Sequence, residues 1–144
     1  MNAKNFFSDE DKQRILDAIR TAEADTSGEI RVHVSEHCPD GALNAAAHWF
    51  AKLKMHRTAL RNGVLFYLSV KDRQFAILGD AGINSRVPTD FWENVKDVMS
   101  AKFRDGLFAD GLEEGIHLAG SILKEYFPHH ADDENELPDD LSFG

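Results

Sequence analysis

The sequence predicts a single layered α/β or α+β domain, a small sheet flanked by helices. Three observations carry that expectation. Gly63–Val70 is almost wholly apolar, as a strand covered on both faces must be, and Arg73–Asp80 follows a short polar break as its hairpin partner would. Glu29–Ser35 alternates Ile30, Val32 and Val34 with Glu29, Arg31 and His33, the period of a strand. Most other apolar residues recur at helical spacing. With 144 residues, 42% of them hydrophobic, the chain is large enough for one domain with a continuous core.

The first helix starts at Ser8, whose hydroxyl suits the free amides, with Asp9, Glu10 and Asp11 at the positive end of the dipole. Ile15, Ala18, Ile19 and Ala22 form its apolar face, and Thr26-Ser27-Gly28 ends it. Glu29–Ser35 then reads as a half-exposed strand. Pro39-Asp40-Gly41 breaks the chain before a second helix, Ala42 to Met55, with Leu43, Ala46, Ala47, Phe50 and Leu53 inward. Gly63–Val70 is the central strand, and Lys71-Asp72 a two-residue turn into its antiparallel neighbour. A loop runs from Asp80 to Pro88. The third helix carries Phe91, Trp92, Val95, Val98 and Met99. Asp105-Gly106 precedes the fourth, whose stripe is Leu112, Ile116, Ala119, Ile122, Leu123 and Tyr126. Gly111, Gly115 and Gly120 within it indicate close approach to another element. The domain therefore spans residues 1–127. Residues 128–144, with six acids and few apolar side chains, are expected to be a disordered acidic tail.

A formal charge of −9 argues against a nucleic-acid or anionic-membrane partner, which would need clustered Lys and Arg. Cys38 alone forms no intramolecular disulfide or zinc-thiolate site and suits a reducing compartment. No signal-like apolar region and no membrane-length apolar run occur, so a cytoplasmic location is expected. The default state is a monomer, and a protein partner stays open.

Four segments narrow the reading. They are Thr26–Val34 (TSGEIRVHV), Thr58–Leu65 (TALRNGVL), Ala76–Ile83 (AILGDAGI), and Phe103-x-x-Gly106 followed by Gly111-Leu112. In that order they resemble the TPM domain family, over about Ser8 to Phe127. The resemblance implies a three-layer α/β/α sandwich with a small mixed sheet and about four helices. It also implies divalent-cation binding, as reported for bacterial members, or the acid phosphatase activity described for the plant thylakoid-lumen members. Many relatives carry a signal peptide and a membrane anchor or Gly-rich tail, features this sequence does not display.

Topology places candidate ligands together independently of the family. A right-handed crossover makes the first two strands parallel, and the hairpin reverses the third. The starts of strands one and two and the end of strand three then share an edge, bringing Glu29, Asn62 and Asp80 together, with Asp90 at the start of the third helix in range. Carboxylates, an amide and loop carbonyls suit a hard cation, Ca²⁺ or Mg²⁺. Each residue has an equally concrete structural use. Asp80 bonds turn amides, Glu29 pairs with Arg61 or Arg31, Asp90 starts a helix, and Asn62-Gly63 turns into the strand. Glu36, Asp72, Asp105 and Asp110 collect at the opposite edge as a second candidate, Asp110 doubling as an N-cap with Glu113.

Catalytic residues are not identified. Cys38 is followed six residues later by Asn44, where a cysteine phosphatase needs Arg, and no D-x-D pair occurs. The histidines at 33, 37, 48, 56, 117, 129 and 130 form no H-E-x-x-H or similar pair. The readings are a noncatalytic cation-binding module, a weak metal-dependent phosphatase using Arg61 or Arg31 to hold phosphate, and a ligand-free interaction domain.

Overall fold

The computed structural model describes residues 3–129 and 141–144. Its centre is a four-stranded mixed sheet in the order β3-β2-β1-β4. Strands β1 (Glu29–Ser35) and β2 (Gly63–Ser69) run parallel, with Glu29 opposite Gly63 and Ser35 opposite Ser69. Strand β3 (Gln74–Gly79) returns antiparallel to β2, and β4 (Leu141–Phe143) lies parallel to β1, Ser142 opposite His33.

The period-2 alternation of each strand sends its side chains into two separate cores. Ile30, Val32, Val34, Val64, Phe66 and Ile77 pack under helices α1 (Asp9–Glu23), α4 (Phe91–Arg104) and α5 (Phe108–Tyr126). On the other face Leu65, Tyr67 and Ala76 pack against Ala46 and Phe50 of helix α2 (Ala42–Lys52) and against Met55. The result is the three-layer α/β/α sandwich. The Ser8 hydroxyl accepts from the Asp11 amide, so α1 starts where its cap predicts. No helix among the described residues is long and apolar enough to cross a membrane.

Several expectations are corrected. The loop expected after Asp80 holds a fifth helix, the short α3 (Ala81–Asn84), because the Asp80 carboxylate accepts from the Ala81 amide and starts a turn. The second helix stops at Lys52, since Lys54 takes a left-handed conformation (φ 59°) and Met55–Arg57 form a 3-10 turn. The hairpin break is longer than two residues, with Arg73 also left-handed at φ 52°. Helix α5 begins at Phe108, which leaves Asp110 inside its first turn rather than at the N-cap.

Strand β1 is buried along its whole length, so the half-exposed reading of Glu29, Arg31 and His33 fails. Alternation reports residue polarity, and here the polar face is covered. The disordered-tail expectation over 128–144 also fails at both ends. Pro128 bridges to Thr26, and Leu141–Phe143 are a strand whose Leu141 is buried and whose Ser142 hydroxyl shares a hydrogen bond with His33. Asp132, Asp133, Glu134, Glu136, Asp139 and Asp140, the acids behind that expectation, lie outside the described residues.

Candidate functional site

The strand register brings three of the four proposed ligands to one edge of the sheet. The Glu29 amide donates to the Asn62 carbonyl at 3.2 Å, and the Asp80 amide donates to the Gly63 carbonyl at 3.0 Å. Asp80 is buried and already engaged: Oδ1 accepts from Arg61 Nη2 (2.8 Å) and the Ala81 amide (2.7 Å), Oδ2 from Arg61 Nε (2.8 Å). This bidentate pairing raises the pKa of the Arg61 guanidinium. Arg61 therefore pairs with Asp80, not with Glu29. It reaches Asp80 from a left-handed backbone (φ 52°), and its side chain remains 51% exposed.

Asn62 is buried too. Its backbone amide donates to Thr58 Oγ1, its Nδ2 to Ser27 Oγ at 3.3 Å, and its Oδ1 has no hydrogen-bond partner among the described residues. Glu29 sits buried at the start of β1, separated from the Asp80 strand by Gly63 on β2. Asp90 is exposed at the start of α4 and caps no amide with its side chain. Among the described residues no three of His, Cys, Asp and Glu are grouped to hold a metal ion. The edge thus gathers oxygens without forming a finished carboxylate cage.

The acids of the opposite edge have partners of their own. Glu36 pairs with Lys71, which holds its carboxyl below the usual range. Asp72 accepts from the Cys38 amide at 2.6 Å and bonds His37 Nδ1 at 3.2 Å, and both lower its pKa. Asp110 and Glu113 clamp Arg14 of α1 onto α5. Asp105 ends α4. Cys38 is buried and donates its thiol hydrogen to Gln74 Oε1 at 3.6 Å, which suits a packing role.

A family model described as the TPM domain matches residues 1–122. The chain belongs to the TPM domain family. The NMR structure of the BA42 protein from the psychrophilic bacterium Bizionia argentinensis is similar to this TPM domain at 44% identity, covering 98% of this chain and 97% of that one, with a TM-score of 0.92. Two more distant NMR structures share the fold. The N-terminal domain of a protein from P. gingivalis is 21% identical over 88% of this chain and 83% of that one (TM-score 0.69). The N-terminal domain of cg2496 from Corynebacterium glutamicum is 12% identical over 94% and 80% (TM-score 0.66). No curated protein matches the chain.

Sequence reasoning missed the polar groups at the far end of this TPM sheet. His33 is fully buried, its Nδ1 2.6 Å from Ser142 Oγ and its ring stacked on Trp49 with centroids 3.8 Å apart. Burial pushes its pKa down to about 4, against an opposing contribution from the Gly144 backbone. Beyond it the Ser35 and Tyr67 hydroxyls are buried with no hydrogen-bond partner among the described residues other than each other. The available signal was a row of polar residues, 29, 31, 33 and 35, on one strand face, which the alternation assigned to solvent.

Proposed function

We propose that this TPM domain is a noncatalytic module that takes a divalent cation at the Asp80 edge by exchange with Arg61. One observation carries the reading: a carboxylate 5% exposed is balanced by a guanidinium that is itself half in water. A buried carboxylate needs a partner, but a largely solvated arginine leaves at small cost, and a hard cation offers the same compensation through oxygen ligands. The convergence of Glu29, Asn62 and Asp80 supports the position. The unsatisfied Asn62 Oδ1 adds an oxygen of the right kind. The engagement of Arg61 with that carboxylate, which leaves the guanidinium less free to hold a phosphate, favours binding over phosphate-ester hydrolysis.

Thermal melting with and without Ca²⁺ or Mg²⁺ tests it, because a ligand specific for the folded state raises the melting temperature. Arg61→Ala should melt lower than the parent without cation and gain more from added cation, since the competitor is gone. Asp80→Asn should lose the cation response. Identical melting of parent and Arg61→Ala in chelator and in millimolar Ca²⁺ or Mg²⁺ would instead mark Asp80 and Arg61 as a structural clamp.

A further inference from the structure

At the carboxyl ends of β1 and β2, opposite the Asp80 edge, the sheet opens into a pocket of about 370 Å³. Open α/β sheets place ligands beyond the carboxyl ends of parallel strands. Its deepest polar groups are Ser35 at the end of β1 and Tyr67 on β2, 2% and 1% exposed. The two are neighbours that can bond at most to each other, and among the described residues neither hydroxyl meets a hydrogen-bond partner outside the pair. A buried hydroxyl hydrogen without an acceptor costs on the order of 1–3 kcal/mol, and a Ser–Tyr pair bonded to each other still leaves one over, which calls for a ligand. Burial raises the Tyr67 pKa, with the Ser35 hydroxyl acting in the opposite sense, so the phenol stays protonated and able to donate.

The first turn of α2 forms one wall through Asn44; its N-cap Gly41 has no side chain to offer, and the first amide, that of Ala42, donates to Gln74 Oε1 at 3.1 Å. The positive end of an eleven-residue helix, its first amide already taken, thus borders the pocket that the two hydroxyls line. Trp49 and Cys38 supply apolar surface. Asp40 lies on the rim, and Asp72 is bonded behind the Cys38 amide.

We propose that this pocket binds a small monocarboxylate, whose two oxygens accept from the Ser35 and Tyr67 hydroxyls at the N-terminus of α2. The charge pattern selects this class. Two donors and a helix N-terminus favour an anion with two acceptor oxygens over a cation. Asp40 on the rim opposes a dianion such as phosphate, His37, itself bonded to Asp72, and His48 being the other titratable side chains near the mouth. A neutral amide offers only one acceptor oxygen to the pair.

The test is a titration of ¹⁵N-labelled protein with sodium acetate at constant ionic strength, with acetamide and inorganic phosphate in parallel. Acetate should give saturable shifts at the amides of Ser35, Cys38 and Asn44, exceeding those from the other two. Tyr67→Phe and Ser35→Ala each remove one donor, and either should weaken acetate binding about tenfold, the value of one hydrogen bond. Having both variants protects against one misfolding, and their spectra away from the pocket should match the parent's. Non-saturating acetate shifts, an equal response to acetamide, a stronger response to phosphate, or unchanged acetate binding in both folded variants would each overturn the assignment.

Discussion

His33 is held indoors by the strand that carries it. Protonation would place a cation between aromatic rings, with Arg31, Lys52 and His48 as further repulsive neighbours, and Ser142 of β4 and the Gly144 backbone just past it on the other side. The folded pKa of about 4 lies below the ordinary 6.5, so folding favours the neutral ring. Its contribution is complete above pH 6.5 and declines as the pH falls from 6.5 towards 4, on the order of 3 kcal/mol in all. Urea unfolding of the parent should lose stability across that window, and His33→Gln, which has nothing to titrate, should show a shallower loss. Parallel pH profiles for the two would assign the effect elsewhere. The same scale explains Arg61 and Asp80: which acid an arginine chooses depends on local backbone shape, here the left-handed Arg61, and no periodic pattern records that.

Among the elements, α3 and the loop before β2 interlock. The Gly82 amide donates to the Arg61 carbonyl at 2.9 Å, and a Cβ on Gly82 would run into the Leu60 carbonyl oxygen, which as backbone cannot rotate away. Gly82→Ala should cost about 1–3 kcal/mol in chemical denaturation and lower the melting temperature, while a substitution to Ala at Gly106, where no atom lies within 4 Å of the new Cβ, meets only its backbone strain at φ 77°. Elements with a periodic apolar stripe were legible in the sequence: α1 from its cap and Ile15-Ala18-Ile19-Ala22 face, α5 from a stripe whose Gly115 lets Met99 of α4 come close. The hairpin and the edge shared by Glu29, Asn62 and Asp80 followed from connection rules alone. Strand β4 was not legible, because three residues behind an acidic run carry no period. Nor was the burial of β1, because covering its polar face depends on elements distant in sequence.

At the scale of the molecule, the two ends of the sheet are separate places. Asp80 is bonded to Gly63, four residues before Tyr67 on β2, so about 13 Å of strand lies between the Asp80 edge and the hydroxyl pocket. Groups this far apart without shared partners should act independently. The stability changes of Asp80→Asn and Tyr67→Phe should add to within about 0.5 kcal/mol in the double variant, measured by urea unfolding. A larger discrepancy would reveal communication along β2.

The position of β4 has a consequence for the company the protein keeps. Without it, the outer rim of β1 would present seven residues of backbone donors and acceptors, a ready template for the sheet of another copy. By laying Leu141–Phe143 against Val32–Val34, the chain covers the middle of that rim and cuts the open stretch short. This pairing joins the first strand to the last and closes residues 32–141 into a loop, the longest sequence separation in the sheet, which by loop-closure entropy places it late among the sheet's contacts. Until it forms, the newly made domain is at its most vulnerable to zipping onto its neighbours.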